Sequence, residues 1–230
     1  MARAATLLRK LPPPSPEQTY SEAADPAHRK ALGQYFTPAT LAALMADWIA
    51  QINPMTVLDP AMGTGVLTRA VQDRIPEASI TAYEKDQQIL AFADVGTHVG
   101  TEIRHADFMR APYSQRYDAV IMNPPYIRHR ELPNYDNVRA DLSVRCGYIV
   151  PKSVNLYIYF SIKSVLHLNP GGRASILIPS EWMNANFSSS FKRLLIENNI
   201  LKEIILFSGC SVLFEDALTT ASILLLEMPK

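Results

Sequence analysis

Cysteine is scarce in this chain, which has only Cys146 and Cys210 among 230 residues. Two cysteines cannot build the multiple disulfides on which small secreted domains depend. Long apolar runs are missing too: none approaches the roughly 20 residues that a transmembrane helix needs, and no secretory signal pattern is evident. These absences exclude a disulfide scaffold and a membrane-spanning protein. We expect a globular protein in a reducing compartment, with no membrane partner.

An excess of either charge is also lacking, because 22 Lys and Arg residues balance 22 Asp and Glu residues. Phosphate contacts usually supply much of the affinity of a nucleic-acid-binding protein. A neutral total therefore argues weakly against a chain that binds nucleic acid unaided, although it is compatible with a local basic face. The apolar fraction of 48% is ample for a core, and the length fits one domain.

Strand-like and helix-like segments alternate along most of the sequence. This alternation predicts a parallel sheet covered by helices on both faces. Strands are predicted at 56–59, 79–84, 102–108, 117–123 and 173–179. The last two strand-like segments, 201–207 and 219–227, have no helix between them and predict a hairpin at the sheet edge.

The start of the chain has a different composition. Residues 11–16 read Leu-Pro-Pro-Pro-Ser-Pro, so we interpret 1–27 as an irregular arm and 28–230 as the folded domain. A first helix is predicted where Thr37 can cap and Pro38 suits the first position. Its apolar stripe is predicted to be core: Leu41, Leu44, Met45, Trp48 and Ile49. A later helix is predicted at 156–168.

A polar motif, Asn123-Pro124-Pro125-Tyr126, follows the apolar run 119–122. Asparagine offers a carbonyl oxygen, the adjacent proline offers only a carbonyl, and tyrosine adds an aromatic face. Such a group at a strand end suits a planar amine. Taken alone, the motif also fits a rigid turn, because the second proline holds its predecessor extended.

A glycine turn lies upstream, in the sequence Val-Leu-Asp-Pro-Ala-Met-Gly-Thr-Gly at 57–65. A strand, a glycine turn and a helix start allow backbone to approach a nucleotide-shaped cofactor closely. The turn has Gly63 and Gly65 but not the third glycine of the dinucleotide fingerprint. Asp59 would repel a pyrophosphate, whereas a carboxylate there suits a cationic cofactor such as S-adenosylmethionine.

Two further acids follow strand-like stretches. Glu84 comes about twenty residues after the glycine turn, where a ribose-binding acid is expected, and Asp107 with Phe108 ends the next stretch. Each acid alone could be a solvated turn residue. Three acids at successive strand ends, together with a glycine turn, indicate a ligand site instead.

These motifs, in this order, resemble those of the gamma-class adenine-N6 DNA methyltransferases of restriction-modification systems. The resemblance covers nearly the whole chain, and its specificity comes from the ordered set. The matching segments are 33–38 (Gly-Gln-Tyr-Phe-Thr-Pro), 59–65, Glu84, 107–108, 123–126, 155–157 with Phe160, and 170–172 before 174–179.

The resemblance implies a Rossmann-like class I S-adenosylmethionine-dependent methyltransferase. Its mostly parallel sheet would have seven strands with an antiparallel edge hairpin, and no metal would be needed. The implied cofactor is S-adenosyl-L-methionine, in the cytoplasm of a prokaryote. Its implied contacts are Tyr35, Phe36, Thr37, Asp59, Pro60, Ala61, Gly63, Gly65, Glu84, Asp107, Phe108, Asn123, Pro125 and Phe160.

The resemblance also implies catalysis by Asn123, Pro124, Pro125 and Tyr126 on an adenine flipped out of the duplex. Tyr126 would stack on the extruded base. A second aromatic clamp is expected at Phe187. Its spacing from Trp182 is one residue short of the family's pattern, so Phe191 competes with it, and core packing is the alternative for both.

The segment 127–154 is too long for an ordinary strand-to-helix connection. We interpret it as a substrate-facing loop, with a solvated mobile loop as the alternative. Arg128 and Arg130 are the basic residues assigned to substrate. Other candidates for phosphate contact or base stacking are His129, Arg139, Arg145, Lys152, Tyr135 and Tyr148.

Three rival functions remain open. A glutamine side chain or an adenine in ribosomal RNA poses the same chemical problem as adenine in DNA, and the chain could also be a non-catalytic, cofactor-binding subunit. The sequence stops at Lys230, soon after the last predicted strand, without the recognition domain usual in the family. We therefore expect DNA specificity to reside in a recognition domain or specificity subunit outside this chain.

Overall fold

A computed structural model describes residues 14–96, 100–132, 134–207 and 220–230. They form a seven-stranded sheet with the strand order β3-β2-β1-β4-β5-β7-β6. The strands are β1 (Thr56–Asp59), β2 (Ser79–Glu84), β3 (Thr101–His105), β4 (Tyr117–Met122), β5 (Leu168–Pro179), β6 (Leu201–Phe207) and β7 (Ala221–Glu227). The segment 1–13, Cys210 and the predicted strand start at Thr219 lie outside the described residues.

The sheet is mostly parallel, as predicted. Strands β3, β2, β1, β4 and β5 pair in parallel, whereas β7 pairs antiparallel with both β5 and β6. The expected antiparallel edge is therefore confirmed. Because β1 lies between β2 and β4, the chain changes direction across the sheet there. Ligands of open α/β sheets bind at such a point, outside the carboxyl ends of the strands.

Helices cover both faces of the sheet. They are α1 (Pro16–Ala23), α2 (Pro26–Leu32), α3 (Ala39–Ala50), α4 (Val66–Arg74), α5 (Gln87–Leu90), α6 (Asp136–Cys146), α7 (Leu156–Leu166) and α8 (Ser189–Glu197). Successive residues of β4 alternate between the two cores: Ala119 packs with α3 and α4, and Val120 packs with α7 and α8. A strand buried on both faces is apolar throughout, which explains the continuous apolar run.

Part of the expected irregular arm is helical, which corrects the prediction for residues 16–27. Ser15 accepts a hydrogen bond from the Gln18 backbone, and the Gln18 side chain accepts one from the Ser15 backbone. This capping box, with Pro16 at the first helical position, starts α1. Tyr20 on α1 is fully buried, so this part of the chain belongs to the folded unit.

The start of α3 also differs from the prediction. Thr37 makes no capping bond, and Pro38 occupies the cap position. Leu41, Met45 and Ile49 are buried as expected. Leu44 is 42% exposed, which corrects its assignment to the core.

Smaller corrections concern element ends and the long connection. Strand β3 ends at His105, so Asp107 lies beyond it, at the start of a 3-10 turn over Phe108–Arg110. Strand β5 starts at Leu168, before the predicted position. The segment 127–154 contains α6 and is therefore not a simple loop. No helix in the described part of the chain is long and apolar enough to cross a membrane.

Candidate active site

A cavity lies at the carboxyl ends of the central parallel strands. It is lined by every predicted cofactor residue except Asp59 and Gly65. These lining residues are Tyr35, Phe36, Thr37, Pro60, Ala61, Gly63, Glu84, Asp107, Phe108, Asn123, Pro125 and Phe160. The fold thus brings together segments that are far apart in sequence.

Asp59 supports the glycine turn from within and does not line the cavity. Its carboxylate accepts hydrogen bonds from the Thr68 hydroxyl at 2.8 Å and the Ala61 N–H at 3.3 Å. Complete burial raises the pKa of Asp59 to about 7. Asp59 therefore stabilises the glycine turn, and its contact with a cationic cofactor stays a prediction. Gly65, which has a φ of 93°, starts α4.

Glu84 closes the other side of the glycine turn. Its carboxylate accepts hydrogen bonds from the Gly63 N–H at 2.9 Å and the Asp86 N–H at 2.8 Å. Burial raises the pKa of Glu84. Each carboxylate oxygen can accept a second hydrogen bond, so Glu84 can still receive hydroxyl donors from the cavity.

Asp107 and two phenylalanines form the far end of the cavity. One Asp107 oxygen accepts a hydrogen bond from the Met109 N–H at 2.9 Å, and the other accepts one from the Tyr135 hydroxyl at 3.0 Å. The rings of Phe108 and Phe160 lie 5.6 Å apart between centroids, tilted by 43°. A carboxylate next to apolar rings suits a flat base that carries an amino group.

Asn123 has a fixed amide with one unpaired oxygen. Its Nδ2 donates to the Tyr35 carbonyl at 2.8 Å and to the Thr37 hydroxyl at 3.0 Å. Asn123 Oδ1 is buried and has no hydrogen-bond partner. Most buried polar atoms in proteins are paired. An unpaired acceptor on a residue that lines the cavity therefore marks the place where a ligand donor would bind.

The N-terminal motif packs directly against Tyr126. The Tyr126 ring stacks on that of Tyr35, with centroids 5.3 Å apart and an angle of 27° between the planes. The Tyr126 hydroxyl donates to the Leu177 carbonyl at 3.3 Å. The Tyr126 N–H also donates to the Gly33 carbonyl at 3.1 Å. Tyr126 thus lies between Tyr35, which stacks on it, and Tyr157, whose ring meets it edge-on with centroids 6.2 Å apart.

Comparisons with known proteins agree with this geometry. The profile of the N-6 DNA methylase family matches residues 17–230. The chain belongs to this family. The type II methyltransferase M.AccI of Acinetobacter calcoaceticus is 35% identical over 91% of this chain and 39% of its own length.

Two other proteins similar to this chain differ in kind from M.AccI. A tRNA1(Val) (adenine(37)-N6)-methyltransferase of Vibrio cholerae is 28% identical over 59% of this chain and 55% of its own length. A Listeria monocytogenes protein assigned to the class I S-adenosylmethionine-dependent methyltransferases superimposes with a TM-score of 0.64, at 18% identity, over 85% of this chain and 61% of that chain. The chain spans 39% to 55% of the length of these curated relatives.

The methylase family and the class I fold imply S-adenosyl-L-methionine as the cofactor, and the cavity fits it. Glu84 offers carboxylate acceptors for ribose hydroxyls, and Asp107 offers one for a base amine. Phe108 and Phe160 provide apolar rings beside Asp107. Within the described residues, no group of three or more His, Cys, Asp or Glu side chains could hold a metal ion.

The cavity is also closed by residues that sequence reasoning missed. Asp86 accepts hydrogen bonds from Gln34 at 2.7 Å and from His28 at 3.0 Å, and Tyr20 donates to Gln34 at 2.8 Å. Burial would raise the pKa of Asp86, but the bonds from Gln34 and His28 hold it below its usual value. Asp86 thus ties α1 and α2 to the end of β2. Its position two residues after Glu84 was the only sequence signal.

The basic residues of 127–154 divide into two groups. Arg128, His129 and Arg130 are exposed. Arg139 and Arg145 are instead held by neighbours in the same segment: Arg139 donates to the Val150 carbonyl and Arg145 to Asp141. Arg128 and Arg130 are thus solvent-facing, whereas Arg139 and Arg145 bond to neighbours within 127–154.

The remaining candidates for substrate contact differ in their exposure and in their contacts. Lys152 is exposed and lies 3.7 Å from Asp136. Tyr135 is buried, and the Tyr148 hydroxyl donates to Glu197, so neither tyrosine is a free stacking surface. Phe191 is fully buried and packs on Trp182, with ring centroids 5.6 Å apart. The competing candidate Phe191 is therefore core, whereas Phe187 is half-buried.

Proposed function

We propose that this chain is the catalytic part of an enzyme that methylates the exocyclic amino group of adenine in DNA. The observation that carries the proposal is the buried, unpaired Oδ1 of Asn123, a residue that lines the cavity. Support also comes from membership of the N-6 DNA methylase family and from similarity to a type II methyltransferase over most of the chain.

Asn123 and Pro124 perform the central step in this proposal. The adenine amino group has two hydrogens. Asn123 Oδ1 accepts one and the Pro124 carbonyl accepts the other, which withdraws the nitrogen lone pair from the ring and makes it available for attack. This is polarisation by fixed acceptors and not deprotonation. S-adenosyl-L-methionine supplies an electrophilic methyl group on a sulfonium when it is bound.

Base access requires a further set of residues. Adenine inside a duplex cannot reach Asn123, so it must be flipped out, at a cost of a few kcal/mol. Stacking of the flipped base on the Tyr126 ring offsets part of that cost. Phe187 is the second aromatic surface in this proposal, and Arg128 and Arg130 contact phosphates near the site.

The rival substrates share the same amine chemistry. Similarity to the tRNA methyltransferase supports adenine in RNA as an alternative substrate. That match covers less of this chain than the match to M.AccI. A protein glutamine would use the same two acceptors. A non-catalytic subunit would bind cofactor without transferring a methyl group.

Substrate assays distinguish these functions. The 230-residue chain is incubated with cofactor labelled in the methyl group and with duplex DNA, RNA or glutamine-containing protein. We expect label in N6-methyladenine of DNA, at a low rate that rises when a recognition domain or specificity subunit is supplied. The rate should fall steeply with salt, because phosphate contacts release counterions. Label confined to RNA or protein would contradict the DNA assignment.

The neutral charge of the chain explains the requirement for a recognition module. In this proposal the chain, without a net basic balance, gains little generic affinity for DNA, and a recognition module supplies the base contacts. Efficient, site-specific methylation of duplex DNA by the 230-residue chain alone would contradict this part of the proposal. The segment 127–154 would then be the place to look for specificity.

Glu84→Gln should weaken the binding of S-adenosyl-L-methionine. The substitution keeps the size of the side chain and removes the charged acceptor for ribose hydroxyls. Hydrogen bonds to charged groups contribute about 1.5–3 kcal/mol, so the dissociation constant should rise by roughly 10- to 150-fold. Isothermal titration calorimetry measures this change.

Glu77→Gln is the matched control for that experiment. Glu77 is exposed in the connection before β2, so the same chemical change should leave affinity unchanged there. Circular dichroism checks that both variants fold. Normal affinity in folded Glu84→Gln would remove Glu84 from the cofactor site.

A further inference from the structure

Tyr135 connects the substrate-facing segment to the cofactor cavity. It lies immediately before α6, is 7% exposed, and donates its hydroxyl to Asp107 Oδ2 at 3.0 Å. Burial raises the pKa of Tyr135, and the nearby Asp107 carboxylate raises it further. The phenol therefore keeps its proton and acts as a hydrogen-bond donor at neutral pH.

The backbone around Asp107 is held separately from its carboxylate. Lys163 Nζ donates to the carbonyls of Met109 at 3.0 Å and Ala111 at 2.6 Å, which fixes the turn after Asp107. Asp107 Oδ1 is bound by the Met109 N–H, and the Arg110 guanidinium stands 3.7 Å from Oδ2 and is 71% exposed. The hydrogen bond from Tyr135 to Oδ2 is thus placed to set the rotation of the carboxylate together with the Met109 N–H bond to Oδ1.

Asp107 keeps acceptor capacity toward the cavity. Its side chain is 23% exposed, it lines the cavity, and an ionised carboxylate oxygen accepts up to two hydrogen bonds. Oδ2 can therefore accept from Tyr135 and from a ligand amine at the same time. The hydrogen bond from Tyr135 to Oδ2 therefore sets the direction in which the second lone pair of Oδ2 points.

We propose that Tyr135 is a positioning residue for cofactor selection: it orients Asp107 so that the carboxylate accepts the 6-amino group of the cofactor's adenine and discriminates against a 6-oxopurine. This inference rests on the proposed cofactor role of the cavity. A site built to accept a hydrogen bond rejects an analogue that cannot donate it, because the buried acceptor is left unpaired.

The same contact links cofactor binding to the substrate side of the site. Tyr135 lies at the start of α6, and α6 also packs through Arg145, whose guanidinium lies 4.0 Å from the centroid of the Tyr113 ring. A purine amine bound at Asp107 restrains the carboxylate that holds Tyr135 at one end of this packing. Cofactor binding should therefore stabilise α6.

Tyr135→Phe tests the proposal with a single hydroxyl removed. Calorimetry measures the affinities of the 230-residue chain for S-adenosylhomocysteine and for its 6-oxo analogue, S-inosylhomocysteine. We expect the variant to bind the adenosyl compound about 5- to 30-fold more weakly and the inosyl compound within about twofold of the unsubstituted chain. Tyr148→Phe, which removes a hydroxyl bonded to Glu197 in the same segment, should change neither affinity.

Amide hydrogen exchange provides a second measurement on the unsubstituted chain. S-adenosylhomocysteine should slow exchange in α6 more than S-inosylhomocysteine does at equal saturation. Equal weakening of both compounds in Tyr135→Phe, unchanged affinity for the adenosyl compound, or equal protection of α6 by both compounds would overturn the inference. If the unsubstituted chain bound neither compound, the proposed cofactor role itself would fail.

Discussion

Asn123→Ala should reduce methyl transfer by about two to three orders of magnitude, the loss typical when one preorganised hydrogen-bonding group of an active site is removed. Without Oδ1, one hydrogen of the substrate amine has no acceptor, and the nitrogen lone pair stays conjugated with the ring. Glu84 and Asp107 are unaffected, so cofactor affinity should stay nearly constant. Single-turnover transfer on a productive DNA substrate, together with calorimetry, separates the two effects.

Two substitutions of Thr37 provide a matched test of this prediction. Its hydroxyl accepts a hydrogen bond from Asn123 Nδ2, so Thr37→Ser should retain the orientation of the amide and Thr37→Val should lose it. The valine variant should transfer methyl groups more slowly than the serine variant. Near-normal single-turnover rates in Asn123→Ala would show that the polarisation mechanism is wrong.

Gly33→Ala should separate the N-terminal motif from the catalytic turn. Gly33 has a φ of 62°, and a Cβ there would lie 2.6 Å from the backbone nitrogen of Tyr126. Left-handed backbone at a non-glycine residue and overpacking together cost roughly 2–5 kcal/mol. We expect a matching fall in the free energy of unfolding by denaturant titration. Methyl transfer should also fall steeply, because Tyr126 must shift.

Gly147→Ala is the control for backbone strain. Gly147 follows α6 with a φ of 77°, and a Cβ there would meet no atom within 4 Å. The free energy of unfolding of this variant should fall only by the cost of the left-handed conformation, about 1–2 kcal/mol. Its methyl-transfer activity should not change. Equal effects of the two substitutions would show that the contact between Gly33 and Tyr126 has no special role.

The sheet was largely predictable from the sequence because its signals are local. Continuous apolar runs predict strands buried on both faces, and the run before Asn123 ends at Met122, where β4 ends. The glycine turn, the acid that ends β2 and the acid that follows β3 are likewise indicated by local sequence. The cavity motifs therefore lie where the order of strands predicts them.

The errors have two physical causes. The prediction of an irregular arm is wrong for residues 16–23: the nearby prolines favour extended chain, but Ser15 and Gln18 carry the signature of a capping box. The roles of Thr37 and Asp59 depend on contacts that the sequence does not display. Thr37 is bonded by a residue 86 positions away, and the burial of Asp59 follows from how α4 packs over β1. Local pattern cannot specify such tertiary contacts.

The hydrogen bond from Asn123 to the Tyr35 carbonyl spans 88 residues of chain, and this distance has a consequence for how the protein tolerates insertions. The entropy of closing a loop grows only with the logarithm of its length, so ten extra residues between the two partners would cost about 0.1 kcal/mol. Surface connections between Tyr35 and Asn123 can therefore lengthen or shorten with little penalty, while the amide at the centre of the site keeps its partner.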